Sequence, residues 1–232
     1  MAARAAVFIV AMATCLGTGC AQTPSSGTSD PGDAGPPPTA DELLRAVATC
    51  NPVSTGGYQT DDQPSAPANI SICGRPGVVY WKADMDIDCD GKTTAVCNLQ
   101  RDPSYQPESS ATDSKGQFVD ASTLPYVVVP LPSARFNYAA AGLGLGSVVA
   151  VVYNGEVAYG PFADEGPENI IGEASYAMAV LLGIDPDPAT GGTAGEVTYV
   201  AFTGATGRVK PLEDRAAAER LGQRLAAELV AR

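Results

Sequence analysis

Residues 84–91 read Asp-Met-Asp-Ile-Asp-Cys-Asp-Gly, just after the apolar run Val78-Val79-Tyr80-Trp81. In an extended segment side chains alternate between faces, so Asp84, Asp86, Asp88 and Asp90 line one face roughly 7 Å apart. Met85, Ile87 and Cys89 then occupy the other. Carboxylates that close raise one another's pKa and destabilise the fold unless a cation answers them. A Lys or Arg side chain, a metal ion or a positively charged substrate could each do so. Deciding among the three is most of the functional problem.

The chain carries 14 Lys plus Arg against 26 Asp plus Glu, a formal charge of −12, and no histidine. That balance argues against nucleic-acid binding and favours long-range attraction of polycations, although acidity also serves solubility. Lacking histidine, the chain cannot perform Ser-His-Asp or Cys-His catalysis or ligate metal through imidazole, which leaves carboxylates as the natural catalytic groups.

Arg4 followed by an apolar stretch to Leu16 and small residues predicts a secretory signal over residues 1–20, too short for a membrane span. Gly17-Thr18-Gly19-Cys20 resembles a bacterial lipoprotein box with Cys20 as the acylated residue; cleavage after Ala21 is the alternative. Residues 21–40, rich in Pro, Gly, Ser and Thr, read as a flexible tether. One domain, 41–232, follows, expected to be secreted and monomeric. Its four cysteines, Cys50, Cys73, Cys89 and Cys97, imply two disulfides in an oxidising compartment. Loop length favours Cys50–Cys73 and Cys89–Cys97 among three connectivities. Zinc is the rival, but no C-x-x-C spacing is present.

Thr39-Ala40-Asp41-Glu42 reads as a capping box opening a helix to about Thr49. Gly77–Trp81, Tyr126–Val129, Ser147–Tyr153 and Glu196–Phe202 read as strands. Asn154-Gly155 between Val148–Tyr153 and Glu156–Tyr159 predicts a type I′ hairpin. Helices are expected over Gly172–Leu182 and Asp214–Ala231. The fold class is mostly β, a barrel or sandwich with a few covering helices.

Asp164 falls just past the end of the second hairpin strand, at a sheet edge, and Glu173 at the start of the next helix, with Gly166 and Pro167 in the loop between. Two carboxylates across one loop suit glycoside hydrolysis, which needs a protonated acid on one side of the bond and a carboxylate on the other. A helix-start Glu also complements the helix dipole, and a loop Asp also forms turns. Tyr80 and Trp81 alternate, so one of them is expected to face the cleft as a sugar-stacking surface; core packing is the competing fate. Asp86-x-Asp88-x-Asp90-Gly91 imitates the start of a calcium loop, but Cys97 stands at the twelfth position, where a glutamate belongs.

Three blocks taken together resemble the chitosanases of glycoside hydrolase family 75. They are Asp84–Gly91, Leu124-Pro125-Tyr126-Val127-Val128-Val129-Pro130, and Tyr159-Gly160 … Asp164 … Ile171-Gly172-Glu173-Ala174-Ser175. The resemblance implies a six-stranded double-psi barrel with flanking helices and inverting endo-hydrolysis of β-1,4-linked glucosamine. It implies Asp164 and Glu173 as the essential carboxylates; Glu173 is assigned as acid and Asp164 as base, with the reverse assignment the alternative, and no metal or other cofactor is expected. Asp84, Asp86 and Asp88, with Tyr80 and Trp81, are the expected substrate contacts, and chitosan is the expected partner. The polar loop Pro103–Lys115 has no counterpart in the resemblance. The rival classes are a non-catalytic carbohydrate-binding barrel and a calcium-stabilised surface domain.

Overall fold

The computed structural model describes residues 35–232. The expected signal, Cys20 and most of the tether lie outside them. Helix α1 (Ala40–Ala46) opens with the anticipated capping box: Thr39 accepts from the Glu42 amide, and the Glu42 carboxylate accepts from the Thr39 amide.

The strands are β1 (Cys73–Arg75), β2 (Val78–Asp88), β3 (Val127–Pro130), β4 (Val148–Tyr153), β5 (Glu156–Gly166), β6 (Glu173–Ser175) and β7 (Thr193–Phe202). Six of them close in the order β2-β6-β3-β5-β4-β7 and back to β2, with β1 added along β2. This closed barrel with helices on its flanks is the architecture the resemblance implies. The two long strands behave alike. The first half of β2 pairs antiparallel with β7 and its end runs parallel to β6. Strand β5 pairs antiparallel with β4, then parallel with β3.

Asn154 and Gly155 both have positive φ, 49° and 84°, as a type I′ turn demands, and Tyr153 faces Glu156 across it. Helix α2 (Tyr176–Leu182) is shorter than the helix expected from Gly172. Residues 173–175 are strand instead, because Ala174 pairs with both Ile87 and Val127. Ser175 caps α2, its hydroxyl accepting from the Met178 amide. Helix α3 (Arg215–Val230) is capped by Asp214 and buries Ala218, Gly222, Ala226 and Leu229.

Odd-numbered residues of β2 (Val79, Trp81, Ala83, Met85) point into the barrel with Phe162 and Tyr199. A second apolar layer holds α1 and α3 against the outer faces of β4 and β7, and includes Tyr80. A third lies under the long β2–β3 connection, around Cys89, Cys97, Tyr105 and Tyr126. Disulfides join Cys50–Cys73 and Cys89–Cys97, with Cα separations of 5.1 and 5.0 Å.

These layers explain a correction. Tyr80 and Trp81 are 2% and 1% exposed, so neither offers a ring to a ligand. The alternation is as expected, but both faces of β2 are covered at that point. Trp81 stacks on Tyr199 inside the barrel at 5.2 Å between centroids, while the Tyr80 hydroxyl donates to the Thr49 carbonyl beneath α1.

Candidate active site

Past Trp81 the outer face of β2 is no longer roofed by helices, and the even-numbered residues meet solvent. Asp84 and Asp86 line one hollow of about 540 Å³; Asp86, Asp88 and Asp90 line a second of about 420 Å³. The two share Thr60, Asp61, Asp86 and Gly191, making one groove along the outer face of the aspartate ladder. The side-chain alternation read from sequence is therefore present, with the carboxylates outward.

Glu173 enters this groove from β6, whose parallel register sets it beside Asp86. It arrives on a strand, not at a helix start, so the helix dipole does not account for it. Its carboxylate lies over Gly166: a Cβ there would meet Glu173 Oε2 at 2.6 Å. Gly172 at φ +122° does the same for Asp84, whose Oδ1 would be 2.3 Å from an added Cβ. These two glycines let carboxylates pack against backbone where any side chain would displace them.

Asp164 is inside β5, not just past its end. Strand β5 carries one extra residue against β3: Val127 pairs with Phe162 but Val128 pairs with Asp164. Without that bulge Asp164 would share the face of Phe162 and point into the barrel. The extra residue, Ala163, turns it to the outer face, the common use of a bulge beside a site. The register Val127–Ala174 sets Glu173 opposite Val128 on the other side of β3. Glu173 and Asp164 thus flank Val128 in one row, two strand spacings or about 10 Å apart at their backbones.

Asp164 is only 5% exposed, and its Oδ1 accepts from the Ser110 amide, the Ser110 hydroxyl and the Glu165 amide, each at 2.8 Å. Carboxylate oxygens of Asp88, Asp90 and Asp164 lie within 4.8 Å of one another. Asp88 accepts from the Asp90 amide at 2.7 Å, and Asp90 from the Gln106 amide at 2.6 Å. The three oxygens could hold a hard cation or an ammonium. They do not form the calcium loop that the sequence imitates, because Asp86 and Asp88 are on a strand and Cys97 is bonded to Cys89.

No Lys or Arg lines the hollow around Glu173 among the described residues, and Asp61, Asp62, Asp102 and Asp187 add charge from loops. Lys82, beside the ladder, pairs with Glu196 at 3.0 Å. The carboxyl groups therefore respond by holding their protons. Burial, then Asp86, Asp90 and Asp164, pushes Glu173 up to about 7. Burial and Asp86 push Asp84 to about 7; burial and Asp61 push Asp86 to about 6. Asp90 rises to about 6 through burial, against the opposing Gln106 hydrogen bond. Asp88 is driven well above the carboxylate range by burial and by Asp164 and Asp90. Asp164 is also raised by burial, but the donors on Oδ1 pull against it.

Sequence reasoning missed the loop aspartates and Ser110. Each belongs to a polar turn segment without periodicity, and only the folded chain reveals their convergence on the groove.

A barrel that brings carboxyl groups of unequal proton affinity to one open groove, with no histidine, suits the class of glycoside hydrolases, whose chemistry uses paired carboxyl groups. Sequence comparison supplies the family. A family model described as fungal chitosanase of glycosyl hydrolase group 75 matches residues 85–227. An endo-chitosanase of Aspergillus oryzae (strain ATCC 42149 / RIB 40) is 31% identical over 175 residues, covering 67% of this chain and 71% of that protein. One from Aspergillus fumigatus is 32% identical over 170 residues, 66% and 70% of the two chains. Endo-chitosanase B of Aspergillus oryzae is 35% identical over 129 residues, 52% and 54%. The chain belongs to glycosyl hydrolase group 75.

Proposed function

We propose that this protein is an extracellular endo-chitosanase that hydrolyses β-1,4 bonds between glucosamine units with inversion. Glu173 is the general acid and Asp164 the general base. The observation that carries the reading is the crowd of carboxyl groups around Glu173, where no Lys or Arg lines the hollow among the described residues, while Lys82 further along the groove is already paired with Glu196: a chain bearing an ammonium on every sugar supplies the charge the protein withholds. A neutral acetylated chain gains nothing from Asp84, Asp86 and Asp88, so the same groups discriminate between substrates.

Glu173, with a proton affinity near 7, is a protonated donor in mildly acidic solution. Asp164 carries three hydrogen-bond donors on one oxygen, which favour its ionised form. As the glycosidic C–O bond breaks, Glu173 gives its proton to the leaving oxygen. Water attacks the anomeric carbon from the opposite face and gives its proton to Asp164. Inversion needs roughly 6.5–9.5 Å between the two carboxyl groups, room for a water, against the roughly 5–5.5 Å of a covalent mechanism. Two disulfides agree with an oxidising, extracellular setting. No helix among the described residues is long and apolar enough to cross a membrane.

The test is release of reducing ends from chitosan and from cellulose by the wild type and by Glu173→Gln. The reading predicts activity on chitosan alone, lost in a variant that melts at the wild-type temperature. Undiminished activity in Glu173→Gln would remove the acid assignment, and equal rates on cellulose would remove the substrate.

A further inference from the structure

We infer that Ser110 is the positioning residue of the general base: its hydroxyl and amide fix Asp164 so that Oδ2 faces the attacking water. This rests on the reading of Asp164 as the base. Ser110 lies in the polar segment that carries no recognisable motif, within the long connection from β2 to β3. That connection is tied down at several points. Cys97 is bonded to Cys89, the Tyr105 hydroxyl donates to the Gly91 carbonyl at 2.8 Å, and the Gly91 amide donates to the Gln106 carbonyl at 3.0 Å. The two neighbours of Ser110 hold it in place. The Ser109 hydroxyl, which is buried, donates to the Ala111 carbonyl and accepts from the Val119 amide. The Ala111 amide donates to the carbonyl of Ala163, the bulge residue of β5, at 3.0 Å.

Ser110 is thereby delivered to the bulge from outside the barrel. It donates twice to Asp164 Oδ1, and its hydroxyl oxygen accepts from the Glu165 amide at 3.1 Å. All three donors to Asp164 converge on Oδ1, so the carboxylate is clamped by one oxygen and the other is left for chemistry. The bulge turns Asp164 outward, and the serine fixes its final orientation.

The hydroxyl also has an electrostatic role. Asp164 faces Asp88 and Asp90 from β2 and its continuation, Glu173 from β6, Glu165 on its own strand and the Tyr126 phenol ahead of β3. All five are acidic or neutral. The Ser110 and Glu165 donors are what favour the ionised form of Asp164, and without the hydroxyl it binds a proton more tightly.

The experiment is the pH profile of kcat/KM on soluble chitosan oligomers for the full chain, comparing wild type, Ser110→Ala, Ser110→Thr and Asp164→Asn. Ser110 is exposed, so its two replacements leave the core intact. Ser110→Ala is expected to lose about tenfold in kcat with KM within about twofold. Its acidic limb should move up by roughly half to one pH unit, and Ser110→Thr, which keeps the hydroxyl, should restore both. An acidic limb that stays in place in Ser110→Ala would overturn the inference, even if activity or melting temperature falls. So would a rise in KM at unchanged kcat, which marks a substrate contact. An active Asp164→Asn strikes the base assignment itself; an inactive one beside a wild-type-like Ser110→Ala strikes the serine alone.

Discussion

Gly166→Ala separates the position of the acid from the stability of the fold. Gly166 ends β5, and its φ lies outside the left-handed region, so alanine suits the backbone. The added Cβ would lie 2.6 Å from Glu173 Oε2 and 3.0 Å from Val128 Cγ1. Relief to an ordinary contact near 3.4 Å requires the carboxylate to give way by about 0.8 Å, and the valine by a few tenths of an ångström. The glutamate is the freer of the two, being the end of a flexible chain, so it moves. A misplacement of about 1 Å costs on the order of a hundredfold in rate when proximity supplies the catalysis. The expected loss in kcat is therefore between about ten- and a hundredfold, with KM little changed. Stability moves little, because a strain-free Gly→Ala gains about 0.4–1 kcal/mol from the unfolded chain and the crowding of Val128 opposes it. Reducing-end release gives kcat and KM, and thermal melting monitors the fold. A kcat within about twofold of wild type at unchanged melting temperature would refute the reasoning, since Glu173 would then not depend on its seat over Gly166.

Asp84 and Glu173 at about 7, and Asp86 and Asp90 at about 6, bind protons more tightly folded than unfolded. Carboxyl groups so raised weaken the fold as pH climbs from their unfolded values through their folded ones. The melting temperature is thus expected to fall from pH 5 to pH 8, less steeply in Asp84→Asn; a steady rise would contradict the electrostatic description. Replacing Cys89 and Cys97 together by serine should cost about 2–3 kcal/mol in urea unfolding, the loop entropy of a bridge spanning 8 positions. It should also slow catalysis, because the released segment carries Asp90 and leads to Ser110; unchanged kcat would contradict that link. Trp81, the only tryptophan, stacks on Tyr199 inside the barrel, so glucosamine oligomers should leave its emission maximum where it is. A clear shift on binding would return Trp81 to the groove.

Much of this fold is visible in local chemistry. Asn154-Gly155 marks the hairpin because few residue pairs accept two positive φ angles. The aspartate ladder marks its outward face because period-2 alternation survives in β2 from Val79 to Ile87. What sequence hides is set by partners distant in the chain. Helix-forming residues around Glu173 become strand because Ala174 finds Ile87 and Val127. The aromatic pair Tyr80-Trp81 looks like a sugar platform, yet α1 covers one face and the closed barrel the other. The bulge at Ala163, which decides where Asp164 points, leaves no trace in residue type. Ser110 and Asp187 sit in polar turns whose sequence meets only local needs, and their roles come from where the barrel brings them.

The central claim, a proton donor at Glu173 and a base at Asp164, is tested most directly by a substrate that needs no donor. A glucosamine oligomer with a dinitrophenolate leaving group departs without protonation. The account predicts that Glu173→Gln, inactive on chitosan, hydrolyses this substrate at a rate near wild type, whereas Asp164→Asn is inactive on both. Retention of the activated substrate by Asp164→Asn and its loss by Glu173→Gln would reverse the two roles, and full activity of either variant on chitosan would contradict the account.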